Sequence, residues 1–357
     1  MTEGGDARTR LLGIDDLRAC LTAAFERLDL ATNDAEGLAG LLVDSELRGH
    51  PDHGIGALEL LVRLYREGTL QPRPRVRVLR ESDTALLLDG DRGCGPGAPM
   101  QAMQWCVERA RERQGMAVAV VRDWQMLVAA PFVRHAAEAG LIGFACTNYS
   151  PLLAPPGGRM AVFGTNPLAY AVPARRHPPV VLDIATSVMA ALKVRAAAQE
   201  GRTVPEGAVL RADGQTTDDP SVFLEGGLLA PLGYPLAAHK GFGLALVVDV
   251  LSGVLSGAGF GQAMTTPTPG IFFWALDIEA FMPREEFLQR MDSQLDQIKQ
   301  GERLPGVSEL FLPGERGQRR HAELTARGVV PVTPGMWDVL VTTCAALDAP
   351  LPTVREV

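Results

Sequence analysis

Residues 116–147 read MAVAVVRDWQMLVAAPFVRHAAEAGLIGFACT. Met116 to Val121 is a near-continuous β-type run, Pro131 to Ala139 has the spacing of a helix, and Leu141 to Thr147 is apolar again. Strands covered on both faces read as unbroken apolar runs rather than as alternation, so this stretch predicts a sheet packed under helices.

The same texture extends outward. Upstream, Val76 and Val78 alternate with Arg, and Thr84 to Leu88 is a short apolar run that ends in Asp89-Gly90-Asp91, a strand and a turn. Pro99 to Gln114 reads as a helix. Downstream, Ala169 to Val172, Pro179 to Leu182 and Ile271 to Leu276 read as strands, Arg202 to Pro220 as a polar hairpin-like insert, and Arg284 to Gln300 as a helix. The N-terminal quarter is helical. Leu17, Cys20, Leu21, Ala24, Phe25 and Leu28 recur at helical spacing, and a second helix follows the capping cluster Thr32-Asn33-Asp34. A third spans about Gly56 to Glu67, and the tail after Gly301 holds loops and a helix over 334–346. The expected architecture is α/β, with a mixed, largely buried sheet over 76–279. A helical lobe over 1–75 is joined by 280–357.

Composition sets outer bounds. The chain has 357 residues, 46% hydrophobic and 21% charged, which excludes a disordered chain and allows two domains. A net charge of −8 speaks against a nucleic-acid partner. Five single cysteines without a Cys-x-x-Cys pattern give no metal site and fit a reducing cytoplasm. The first ten residues, with Asp6, Arg8 and Arg10, lack the apolar core of a targeting signal. The apolar run Gly241 to Gly261 has nearly the length of a membrane span. Its glycines and its polar face of Asp249, Ser252 and Ser256 read instead as a buried helix, so no membrane partner is expected.

Two scarcities single out residues. Only Lys193, Lys240 and Lys299 are lysines among 34 basic residues, and the only asparagines are Asn33, Asn148 and Asn166, each after a threonine. Codon bias accounts for the scarcity itself. The survivors become candidates for places where Arg or Asp cannot serve, since an ammonium is a compact charge and a guanidinium a planar fork.

No G-x-G-x-x-G fingerprint, P-loop or G-x-S-x-G elbow occurs. Six segments nevertheless stand out. They are Asp52-His53-Gly54, Thr147-Asn148, Gly164-Thr165-Asn166-Pro167, Asp183 to Ser187, His239-Lys240-Gly241 and Leu312 to Gly317. Their order resembles the malate/L-lactate dehydrogenase-like family, which includes ureidoglycolate, sulfolactate and malate dehydrogenases and cyclic imine reductases. The resemblance runs from about Leu12 to Ala346. Taken singly, each Thr-Asn reads first as a turn with a side-chain hydrogen bond, and Lys240 as a solvated surface lysine; the ordered set reverses this.

The resemblance implies a non-Rossmann fold that binds NAD or NADP over 76–279, and a homodimer to which the N-terminal helices contribute. It implies cofactor contacts at Thr147, Asn148, Gly164, Thr165, Asn166, Thr186, Ser187, His239, Lys240 and Gly241. It makes His53 the proton-transfer residue, with Asp183 and Asp52 to orient it. Three positions depart from the family pattern. Asp52 replaces a serine, Ala57 replaces the arginine that clamps a substrate carboxylate, and Met126 replaces a histidine in the matching stretch that begins Asp123-Trp124. Met cannot transfer a proton and Ala cannot clamp an anion. With Ala57, Trp124 and Met126 lining the substrate pocket, the expected substrate is larger and less anionic than lactate or malate: a cyclic imine or a biosynthetic ketone. Two rivals stand beside this hydride-transfer reading. One is a repurposed relative that holds the dinucleotide for non-redox chemistry such as cyclisation or elimination. The other is a non-catalytic binding protein.

Overall fold

The two apolar runs of 116–147 do not pair with each other; a strand from more than a hundred residues downstream lies between them. The computed structural model describes residues 9–264 and 268–355, so most of the opening stretch read for a targeting signal lies outside it. In chain order the first elements are β1 (Arg10–Gly13), α1 (Ile14–Glu26), α2 (Thr32–Leu47), α3 (Leu58–Arg66), β2 (Arg77–Glu81), β3 (Ala85–Cys94), α4 (Gly97–Arg113), β4 (Met116–Gln125), α5 (Ala130–Glu138), β5 (Ile142–Thr147), β6 (Leu168–Val172) and β7 (Val180–Ile184). Next come α6 (Ala191–Gln199), β8 (Val209–Leu210), β9 (Thr216–Thr217), α7 (Ser221–Leu224), β10 (Leu228–Leu229) and α8 (Ala238–Asp249). The remainder is β11 (Ile271–Leu276), α9 (Arg284–Lys299), α10 (Glu315–Arg327), β12 (Val329–Val332), α11 (Pro334–Leu347) and β13 (Val354–Arg355).

The large sheet has the order β2-β3-β4-β11-β5-β6-β7. Only β3 and β4 pair in parallel; every other neighbouring pair is antiparallel. This is a mixed sheet and not a doubly wound one, whose strands would run parallel. Helices α4 and α5 cover one face, packing Met103, Cys106, Phe132 and Val133 over Ala117, Ala119, Ala145 and Phe273. On the other face Val248 of α8 meets Val120, Cys146 and Phe272, while Val118, Phe144, Leu168 and Trp274 around them are only partly covered.

A separate core joins the two ends of the chain. Helix α1 buries Leu17, Cys20, Leu21, Ala24 and Phe25, an i, i+3, i+4 stripe. They pack with α2, α3 and α11, and β1 pairs with both β12 and β13.

Three local readings differ from the structure. Asp89-Gly90-Asp91 is a bulge inside β3, not its end. The strand continues because Gly90 and Gly93 lie under the Trp124 ring, where a Cβ would collide with it. Helix α10 was not expected after Gly301: it buries only Leu324, so it carries little apolar periodicity. It is held instead by ion pairs from Glu315 to Lys299 and Arg319, and from Glu323 to Arg327. Third, the run from Gly241 to Gly261 is no single long helix; α8 ends at Asp249 and a π-helical turn spans Val250–Val254. Its polar face points inward and its apolar face outward. Asp249, Ser252 and Ser256 are buried, while Leu244, Leu246, Val247, Val250, Val254 and Leu255 are exposed. Among the described residues no helix is long and apolar enough to cross a membrane.

Candidate active site

The loop after α2 tightens into a 3-10 turn over Pro51–His53. Neighbouring side chains often point apart, but this turn brings two together: His53 Nδ1 lies 2.8 Å from Asp52 Oδ2. The carboxylate is 5% exposed and the imidazole 26%, so Asp52 sits behind a ring that reaches open space. Burial pushes the Asp52 carboxyl up, but His53 and the Lys193 ammonium outweigh it and hold the acid below its usual range. Lys193, on α6, also helps burial to disfavour the protonated form of His50.

Asp183 takes a different post from the one expected of it. Its Oδ2 accepts the backbone N–H groups of Ala129 at 3.2 Å and Ala130 at 2.9 Å, which caps the start of α5. Asp183 is exposed, yet desolvation by the protein packed around it pushes its carboxyl up, against the Ala130 amide, the His53 charge and the Ala129 amide. His53 therefore touches Asp52 and feels Asp183 electrostatically.

The segments expected to surround the cofactor do converge, and α8 is where they meet. Thr186 donates from both its N–H and its Oγ1 to Thr165 O, each at 2.9 Å, and the Leu232 N–H donates to Thr186 O. Leu232 lies against Gly241, where a Cβ would collide with its backbone, so only glycine allows α8 to start there. Gly164 backs onto Tyr149 O, which a Cβ would approach to 2.6 Å. Ser187 Oγ donates to Met189 O.

The Thr and Asn side chains of this cluster are engaged inside the protein. Thr147 Oγ1 donates to Gly270 O. Asn148 Nδ2 donates to Gly259 O and Asp249 Oδ1, and Asn166 Nδ2 to Ala245 O and the same Asp249 oxygen. Asn148 and Asn166 are fully buried. Any cofactor role of Thr147, Asn148 and Asn166 thus runs through the loops they hold. Sequence reading missed Asp249 as their hub, although a lone carboxylate in an apolar helix is a usable signal.

His239 and Lys240 are different. Both are exposed in the first turn of α8, and the Lys240 ammonium makes no ion pair or hydrogen bond among the described residues. A positive helix end, an ammonium without a partner and closely approachable backbone fit a dinucleotide. His239, Lys240 and the loops at 164–166 and 186–187 would hold it.

Ala57, Trp124 and Met126 stand elsewhere than the open pocket wall expected of them. Ala57 is 0%, Trp124 2% and Met126 1% exposed. Ala57 packs in the core of the helical lobe, and Trp124 fills the glycine groove of β3 with its Nε1 donating to Gly95 O. These side chains act on the site through packing.

A mixed sheet, a buried carboxylate against a partly exposed imidazole, and a basic helix start among convergent glycine-bearing loops are the features of a dinucleotide-dependent oxidoreductase. Comparison with known proteins specifies it. The family described as malate/L-lactate dehydrogenase matches residues 12–341, and the chain belongs to that family. It is 35% identical over 312 residues to a malate dehydrogenase of Pyrococcus abyssi, covering 85% of this chain and 86% of that one. The solved malate dehydrogenase of Pyrococcus horikoshii OT3 superposes with a TM-score of 0.87 at 29% identity, over 98% of this chain and 99% of that one. A delta1-piperideine-2-carboxylate reductase from Pseudomonas syringae pvar. tomato superposes at 0.82 and 26% identity, over 94% and 100%. The protein is thus an oxidoreductase of the dehydrogenase and reductase type, whose family works with NAD(P).

Proposed function

We propose that the protein transfers a hydride between a bound nicotinamide and a C=O or C=N carbon of a substrate other than lactate or malate, with His53 as the proton carrier. The observation behind this is the 2.8 Å contact between His53 Nδ1 and Asp52 Oδ2, with the imidazole partly exposed. NAD or NADP supplies the hydride when a double bond is reduced and takes it up when the substrate is oxidised. In reduction His53 gives a proton to the oxygen or nitrogen as the carbon gains the hydride; in oxidation it takes one away. Asp52 keeps the imidazole in one orientation and stabilises its protonated form. Asp183 holds α5 and adds negative charge near His53.

The substrate reading rests on the family resemblance, in which Ala57 matches an arginine that clamps a carboxylate; the side chain here is buried and too short to reach one. A cyclic imine without a carboxylate fits; the reductase among the structural relatives is named for an imine that carries one. Isothermal titration with NADH and NADPH, followed by absorbance at 340 nm with 1-piperideine, delta1-piperideine-2-carboxylate, pyruvate and oxaloacetate, tests it. Efficient turnover of either 2-oxo acid would show that another group clamps the carboxylate. Cofactor binding with conversion of a substrate but no change at 340 nm would favour the non-redox reading, which the loss of both substrate-side polar residues also suits.

The same reading makes the protein a cytoplasmic homodimer. Five free, buried cysteines fit a reducing compartment. The exposed apolar face of α8 and its π-helical turn, beside the partly covered sheet face, fits a second copy.

A further inference from the structure

Glu46 lies on α2, 3% exposed, and no lysine, arginine or histidine stands within ion-pair distance of it among the described residues. A buried carboxylate without such a partner is rare, because dehydration penalises its charge. Its Oε1 accepts the Ile55 N–H at 2.7 Å. Ile55 follows His53 by two residues, so this bond fixes the chain just beyond the imidazole. Gly54, between them, has φ −100° and ψ −121°, and a Cβ there would collide with the Glu46 carboxylate. The glycine clears the path by which the acid reaches the turn.

From these contacts we propose that Glu46 is a positioning residue that holds the His53 turn and couples its own charge to the Asp52–His53 pair. This rests on the reading of His53 as proton carrier. A purely structural tie would need only an oxygen acceptor, which glutamine provides as well. A carboxylate does more, because Asp52 lies close enough for the two acids to act on each other.

The groups that face Glu46 set the direction. Burial pushes its carboxyl up to about 7; the Ile55 amide opposes this, Asp52 adds to it and Arg320 of α10 opposes it. Around Asp52 stand His53 and, from α6, Lys193. As pH rises through neutrality Glu46 ionises and adds negative charge beside Asp52. That charge favours the protonated imidazole, the form that has a proton to give. Protonation of Glu46 removes it.

The test compares the wild type, Glu46→Gln, Glu46→Ala and His53→Ala. The His53 ring is followed by NMR on histidine-labelled, NADH-bound protein across pH 5–9, and turnover is followed with 1-piperideine, a cyclic imine without a carboxylate. Glu46→Gln keeps the Ile55 bond, so it should fold and bind NADH as the wild type does. Its His53 midpoint should fall by about half a pH unit or more. The kcat/KM profile should lose one ionisation near pH 7. Glu46→Ala should lower kcat roughly tenfold or more while NADH affinity holds, since an imidazole out of position loses part of the acid–base contribution. An unchanged His53 midpoint in Glu46→Gln would overturn the proposal and leave Glu46 as a hydrogen-bond prop. Full turnover by His53→Ala would overturn the reading of His53 instead, and the NMR midpoint would still decide the coupling.

Discussion

The Asn148 amide donates to Asp249 Oδ1 at 3.3 Å, which ties the end of β5 to the end of α8 across 101 positions of the chain. Asn166 reaches the same oxygen at 3.4 Å. One buried acid thus anchors both Thr-Asn loops. Replacing Asp249 with Ala leaves two amide N–H groups short of an acceptor, and each unmet buried group costs about 1–3 kcal/mol. We expect Asp249→Ala to lose about that much in urea unfolding and to weaken NADH binding as the loops loosen. An unchanged unfolding midpoint would show that Gly259 O and Ala245 O suffice.

His53 and His50 lie three residues apart but have different surroundings. Only His53 contacts a carboxylate. His53→Ala should reduce kcat by about 10²–10⁴-fold with cofactor affinity nearly unchanged, and His50→Ala far less. Asp52→Asn should lower turnover too and shift the pH dependence, because the protonated imidazole loses its partner. Steady-state kinetics across pH 5–9 check all three.

Lys240→Ala should weaken NADH or NADPH binding without a change in Tm, because the side chain is exposed and its ammonium pairs with no group among the described residues. Gly241→Ala should instead lower Tm, because the new Cβ meets the Leu232 backbone. Calorimetry of the two variants separates cofactor contact from helix support.

Glu46 also predicts a pH-dependent stability. Its folded-state value of about 7 exceeds its ordinary 4.5, so the folded protein holds this proton more tightly than the unfolded chain does. The resulting stabilisation is fully present below about pH 4.5 and is lost as pH rises through about 7. Its size is about 3 kcal/mol. The difference in unfolding free energy between the wild type and Glu46→Gln should therefore move by about that amount, against the wild type, between pH 5 and pH 8. A constant difference would contradict the buried acid.

The outward apolar face of α8 predicts association. Light scattering should give twice the chain mass, and Val247→Glu with Val254→Glu should give one chain mass with the fold retained, since both positions are exposed in the single chain. A monomeric wild type would refute the interface.

Much of this protein is written locally. The apolar runs at 116–121 and 271–276, the helical stripe of α1 and the cap before α2 follow from side-chain periodicity and backbone preference, which act between near neighbours. The order of six short segments suffices to place the chain in its family, and it marks Asp52 and His53 as the chemical loop. Only the tertiary structure decides what those residues touch. β11 enters between β4 and β5. α8 turns its acid inward because the Asn148 and Asn166 amides wait there. Trp124 becomes core because β3 offers it glycines, and Asp183 caps a helix while Asp52 holds the histidine. Each of these except the Asp52–His53 contact joins groups distant in sequence, and that one depends on a turn fixed by Glu46 from the preceding helix. A residue's type states what it can bond to; the packing of the whole chain selects which partner arrives.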